Sequence, residues 1–341
     1  MWNRRRAATV IASSMVVAGC AVREPRKGPP ILVNLANQAP GPADTAELSS
    51  SADAAKRVTA PVMINDQGPF DFVVDTGANR TVISTELAAA LSLPSAGRAQ
   101  INGIAGVESS GTALINKLDV GRVTSRRLRA PTLQRARLGA DGLMGVDVLK
   151  NRRVAIDFRR NVLTVSKADD GETRVQQNVA DGRLRDARAD LAAESNVVIV
   201  PARYRFGQLI IIDADLGGVP VTAFLDSGSQ NTVGNLRLQS QLRSALGLST
   251  QVSVVELISA TGQRARGEFS SVPSLRMGGL SIGNLSAVFA DLHIFKLWEL
   301  NDRPALLVGI DVMRHFEAIE LDFANRRVLF RTPARTLRRP G

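Results

Sequence analysis

Cysteine is nearly missing from this chain. Cys20 is the only one in 341 residues, which excludes a disulfide within the chain and a thiol site in the folded body. Histidine is almost as scarce. His293 and His315 have no cysteine or second histidine at ligand spacing, so both are expected to be structural, and neither a metal nor another cofactor is called for. Aromatic residues make up only 4%, with no zinc or RNA-recognition signature, so nucleic acid is not an expected partner. The glycine pair Gly278 and Gly279 in "GGLSIG" lacks the lysine and the strand-to-helix setting of a phosphate loop. The apolar run from 7 to 19 is shorter than the roughly 20 residues of a membrane-spanning helix.

What is present begins with the leader. "MWNRRRAATVIASSMVVAGC" has a basic start at Arg4, Arg5 and Arg6, then a short apolar run closing on small residues, the make-up of an export signal. Val17-Ala18-Gly19-Cys20 resembles the lipobox of bacterial lipoproteins, which implies cleavage before Cys20 and lipid attached to it. The expectation is therefore a bacterial envelope protein in the periplasm, lipid-anchored to a membrane, with the outer membrane favoured. Residues 1 to 19 carry three arginines and no acid, so the net charge of +11 becomes +8 without them. The remaining arginines read as a solvated basic surface, with anionic lipid headgroups as the sharper alternative partner.

The rest is long enough for two cores, and 44% hydrophobic content can fill them. Residues 20 to 57, rich in Pro, Ala, Ser and Asn, read as a flexible tether. Short apolar runs broken by Gly, Asn and Asp mark a β-rich unit over 58–166 and another over 196–332. A polar linker, partly helical, is expected between them at 167–195, and a basic tail at 333–341.

The two units match in order. "FVVDTGANRTVIS" (72–84) and "AFLDSGSQNTVGN" (223–235) each drive an apolar strand into an aspartate, Asp75 and Asp226, followed by a hydroxyl residue and a glycine. A Gly-bearing apolar segment follows, "INGIAGVES" and "LISATGQRA", with Gly106 and Gly262 lying 31 and 36 residues past the aspartates. "GLMGVDVL" and "LLVGIDVM" place Gly145 and Gly309 at 70 and 83 residues past them. "AIDFRRNVLTV" and "IELDFANRRVLF" close each half as strand-turn-strand candidates. One Asp-Thr/Ser-Gly tripeptide is weak; two in the same ordered setting are strong.

On these motifs the chain, over about 58 to 332, resembles the pepsin and retropepsin superfamily of aspartic peptidases, and each half looks most like the retropepsin type. The resemblance implies an all-β fold of two homologous acid-protease β-barrel lobes in one chain, bilobal as in pepsin. It implies that Asp75 and Asp226 meet as a catalytic pair sharing one proton. Thr76 and Ser227 would bond across the lobe junction. Gly77 and Gly228 would allow the tight turn behind each carboxylate, and Gly145 and Gly309 would be the small residues over which the active loops pack. Residues 101 to 107 and 257 to 263, with Gly103, Gly106, Ala260 and Gly262, fall at the flap position. Neither flap has a tyrosine, the single Tyr204 lying elsewhere, which sides with retropepsins. The position after each glycine differs: Ala78 lacks a hydroxyl and Ser229 has one, so Asp226 is expected to be the charged partner if Ser229 faces it.

Asp147 and Asp311 read as helix caps, and Asp157 and Asp322 as turn residues. The implied activity is hydrolysis of peptide bonds in envelope proteins, by a monomer whose pair of aspartates is intramolecular. The alternatives are a non-catalytic peptide-binding module of the same fold, and an anchored protein that binds anionic surfaces through its arginines.

Overall fold

The computed structural model describes residues 57–167, 196–205, 207–211, 213–246 and 253–333, with the backbone of 14–16, 45–49 and 51–52. The leader cleavage site, Cys20, the linker from 168 to 195 and the tail from 334 lie outside the described residues. Among the described residues no helix is long and apolar enough to cross a membrane.

Each half is built around the strand that ends in its aspartate. In the first, Val58–Ile64 and Gln67–Val74 form a hairpin. Its turn residues Asn65 and Asp66 both take positive φ, 49° and 65°, which is what a two-residue hairpin demands and what Asn and Asp tolerate best. Phe72, Val73 and Val74 have no exposed surface. This is why they read as an unbroken apolar run: the strand is covered on both faces. Gly142–Met144 lies parallel to Phe72–Val74 and antiparallel to Val82–Ile83. In the second half Thr222–Leu225 holds the same place, with Gln208–Ile211 antiparallel to it, Ala305–Val308 parallel to it, and Val233–Gly234 antiparallel to the latter. Long hairpins, Ser95–Gly103 with Gly106–Val120 and Ser253–Ile258 with Arg264–Met277, project from the halves as flaps.

The closing hairpins weld the halves together. Arg152–Asp157 pairs with Val162–Lys167 on one side and with Ala318–Asp322 on the other; Arg327–Arg331 and then Val197–Arg205 continue that sheet. The repeat aligns Ala155 with Glu320, and the register sets these two residues opposite each other. A two-fold pseudo-axis therefore passes between them. Ile156, Val154, Leu321 and Ile319 pair around it and belong to a core continuous with both lobes.

One expectation is corrected here and another is extended. The tether is interrupted, because the backbone of Thr45–Ser49 pairs with Val162–Ser166 and that of Ser51–Ala52 with Val58–Thr59. The reason is that a sheet edge offers unpaired amides and carbonyls to any extended segment, whatever its side chains. Asp322 is more than a turn residue: fully buried, it accepts from Asn325 N and Nδ2 and from Arg327 Nε, with Arg153 beside it, so it anchors the junction sheet. Asp157 does serve its turn, accepting from Arg160 N at 2.8 Å.

Because one core runs through the junction, Ile156→Ala should destabilise both lobes together. We expect a loss of about 2–5 kcal/mol in urea unfolding, in one transition followed by both tryptophan fluorescence and circular dichroism.

Candidate active site

Both aspartates emerge from their strands into tight loops that meet at the pseudo-axis. The loops are tied crosswise. Thr76 Oγ1 donates to the Leu225 carbonyl at 2.9 Å and accepts from Ser227 N at 3.0 Å; Ser227 Oγ donates to the Val74 carbonyl at 2.7 Å and accepts from Thr76 N at 3.2 Å. Gly77 and Gly228 are required by closeness. A Cβ on Gly77 would stand 2.4 Å from the carboxyl carbon of Asp226, and one on Gly228 would stand 2.3 Å from that of Asp75. A Cβ on Gly145 would meet the Arg80 backbone at 2.4 Å, and one on Gly309 the Asn231 backbone at 2.6 Å, so each active loop rests on a glycine.

The carboxyls are 0% and 1% exposed. Asp75 Oδ1 accepts from Gly77 N and Ala78 N, both at 2.9 Å, while Asp226 Oδ1 accepts from Gly228 N at 2.9 Å. Burial, the larger effect, pushes Asp75 up to about 7, while Arg57 and the two amides pull the other way. Asp226 is held well above the ordinary carboxylate range, first by burial and then by the charge of Asp75. The influence of each carboxyl on the other lowers Asp75 and raises Asp226, so Asp75 is the first of the two to lose its proton as pH rises.

This reverses the expected asymmetry. Ser229 does not face the carboxylate: its Oγ donates to the Asn231 carbonyl at 2.9 Å, and a hydroxyl has one hydrogen to give. The N-cap positions themselves are Gly145 and Gly309; Asp147 and Asp311 stand in the first helical turn, where Asp311 Oδ1 accepts from Val312 N at 2.8 Å. Their carboxylates also accept from the backbone N and Oγ1 of Thr81 and of Thr232, at 2.7 to 2.9 Å, fastening the segment that follows each active loop.

Both flaps are present, and they cross. The tip of the first, between Gly103 and Gly106, buries Ile104 in the second lobe's apolar cluster with Phe224, Leu257, Ile294 and Trp298. The tip of the second buries Ala260 against Val73, Ile101, Leu138 and Leu143 of the first lobe. Polar contacts fasten the crossing. Arg137 Nη1 donates to the Thr261 carbonyl at 3.0 Å and meets Glu108, Gln263 Nε2 donates to the Val107 carbonyl at 3.1 Å, and His293 Nε2 lies 3.1 Å from Asn102 Oδ1. Gly262 sits with φ 79° beneath the Arg137 guanidinium. His293 is therefore structural but bridges lobes, and His315 Nδ1 lies 3.2 Å from the Val312 carbonyl. Among the described residues no three His, Cys, Asp or Glu side chains gather as a metal set.

Sequence reasoning missed Arg57, Gln208 and Arg137. For the first two a signal existed: each stands eighteen residues before its aspartate. Arg57 Nη2 donates to the Leu138 carbonyl, and Gln208 Nε2 donates to the Gly77 carbonyl at 2.9 Å and to Asn79 Oδ1 at 3.0 Å, a bond from one lobe into the other's active loop.

Two outcomes follow from this geometry. Between pH 3.8 and about 7 the folded chain keeps a proton on Asp75 that the unfolded chain has released, so stability falls as pH rises through that window. Asp75→Asn should therefore be more stable than wild type above that window, by roughly 4 kcal/mol in urea unfolding, and equal to it below. Arg137→Ala should loosen the crossing, which would appear as faster amide hydrogen exchange at Thr261 and Gly262 with exchange in the junction sheet unchanged.

Comparison with known proteins agrees lobe by lobe. The family described as "gag-polyprotein putative aspartyl protease" matches residues 60–151, and the family described as "Aspartyl protease" matches residues 212–312. A retropepsin-like aspartic protease from Rickettsia conorii aligns over 40% of this chain and 90% of its own, at 18% identity and a TM-score of 0.29. Conglutin gamma, a basic 7S globulin from lupine seeds, aligns over 85% of this chain and 95% of its own, at 11% identity and a TM-score of 0.46. No curated protein matches the chain. With an aspartyl-protease family model matching each half, and the halves joined about one pseudo-axis, the chain carries two aspartyl-protease-like domains in a two-lobed all-β fold.

Proposed function

We propose that the protein is an aspartic endopeptidase of the bacterial envelope, tethered through lipid on Cys20 and cleaving extended segments of envelope proteins. The observation that carries the activity is the pair of aspartates, both buried, each with its carboxyl against the loop glycine of the other lobe. Asp75 is the base and Asp226 the acid. Asp75 takes a proton from a water between them as its oxygen attacks the scissile carbonyl carbon, and Asp226 gives its proton to the carbonyl oxygen. The resulting diol collapses as the amide nitrogen takes the proton from Asp75, the C–N bond breaks, and a diol hydroxyl returns a proton to Asp226. The pair ends as it began, with one proton. Thr76 and Ser227 keep the loops in register throughout, and Gly77 and Gly228 keep the carboxyls close.

Substrate enters under the flaps. Their strands have edges to which an extended peptide can add by backbone hydrogen bonds, with alternate side chains pointing into the lobes. Displacing Ile104 and Ala260 uncovers two apolar surfaces, so a peptide with apolar side chains is the matching ligand. Flap opening also admits solvent and relieves part of the burial that raises Asp75. The acid limb of the activity profile should then lie between 3.8 and about 7.

The test is cleavage of an unfolded protein by the mature chain over about pH 3 to 8, beside Asp75→Asn and Asp226→Asn. Loss of at least about 1,000-fold in both variants is expected. An inert wild type that still binds peptide, with binding intact in both variants, would leave a grip in place of a catalyst.

A further inference from the structure

The two lobes differ in charge at the position that the strand register sets opposite each aspartate. Thr59 is paired with Val73 in the first lobe and Ile210 with Phe224 in the second, and Val73 and Phe224 each stand two residues before the aspartate. Continuing both registers by two residues sets Arg57 opposite Asp75 and Gln208 opposite Asp226. Both side chains are buried, at 3% and 1% exposure. The cation is present on one side only.

We propose that Arg57 is the positioning residue that breaks the symmetry of the dyad: its buried guanidinium, against neutral Gln208 at the equivalent place, holds the negative charge on Asp75. This rests on the endopeptidase reading for its consequence but not for its test. An opposite charge within a few ångströms favours ionisation, and in a buried setting it is weakly screened. The charge of Arg57 acts on Asp75 in this direction, whereas on Asp226 the larger charge effect is that of Asp75 itself. Two other charged groups lie by the first active loop, Arg80 and Asp147: the charge of Arg80 acts on Asp147, whose carboxylate is held by Thr81. Gln208 contributes a dipole rather than a charge, and it is spent on the Gly77 carbonyl and Asn79. Two identical environments would leave the shared proton evenly divided; one cation assigns it to Asp226 and makes Asp75 the base.

The experiment is a carboxyl-carbon NMR titration of the mature chain labelled at aspartate, with Asp75→Asn and Asp226→Asn to assign the two signals. In Arg57→Gln the lower midpoint of the pair should rise by about 1 pH unit or more and the two signals should titrate more alike, while Arg57→Lys returns the wild-type order. Gln208→Lys should move the lower midpoint the other way and serves if Arg57→Gln does not fold. Where cleavage is measurable, its acid limb should move with the titration. Wild-type titration curves in a folded Arg57→Gln, or an unmoved midpoint in Gln208→Lys, would overturn the proposal. A wild type that titrates as expected but does not cleave would overturn the endopeptidase reading and leave the role of Arg57 standing.

Discussion

Two carboxyl groups buried beside each other, each against the other loop's glycine, are the constraint around which this molecule is arranged. Either one buried alone would take up a proton; buried together, they have to share one. Bringing them that close leaves no room for a Cβ behind either, hence Gly77 and Gly228. It also requires that the two loops not drift, hence the reciprocal bonds of Thr76 and Ser227. The strands that end in the aspartates must be anchored on both faces, hence Phe72 to Val74 and Ala223 to Leu225 in unbroken apolar runs. The junction sheet below completes the arrangement by fixing the axis about which the loops face each other.

The crossed flaps close the same space from above. Each tip is an apolar plug for the opposite lobe, and each lobe's short helical segment after the flap, with Arg137 in one and His293 in the other, holds the flap that does not belong to it. Neither flap can lift without exposing apolar surface on the partner lobe. Because the flaps also bond where they cross, lifting either one breaks contacts of the other.

How much of this could be read beforehand depended on how far apart in the chain the interacting groups lie. Asp75, Thr76 and Gly77 sit in one tripeptide, as do Asp226, Ser227 and Gly228, so their chemistry is local and the repetition exposed it. The direction of the asymmetry was not legible. Ser229 suggests a hydroxyl for Asp226, but turn geometry sends that hydroxyl to Asn231, and turn geometry is not written in residue type. Arg57 and Gln208 act across a strand pair, so only the register reveals them, although their equal spacing from the aspartates was there to be noticed. Asp147 and Asp311 carried a true helix-start signal and stand in the first helical turn, but their bonds to Thr81 and Thr232, which arrive from elsewhere in each lobe, were not legible. The Thr45–Ser49 strand is only five residues long inside a stretch rich in Pro, Ala, Ser and Asn, too short a pattern to stand out.

Fusion of the halves has one more consequence. When such a site is assembled from two copies of a single lobe, symmetry forces every substitution to appear twice, and a cation placed beside one carboxyl is placed beside the other. Here one polypeptide carries both lobes, and the pair Ala155 and Glu320 meets at the axis as two different residues. Each half is then free to drift on its own. Arginine opposite one aspartate and glutamine opposite the other is a combination that a homodimer cannot encode.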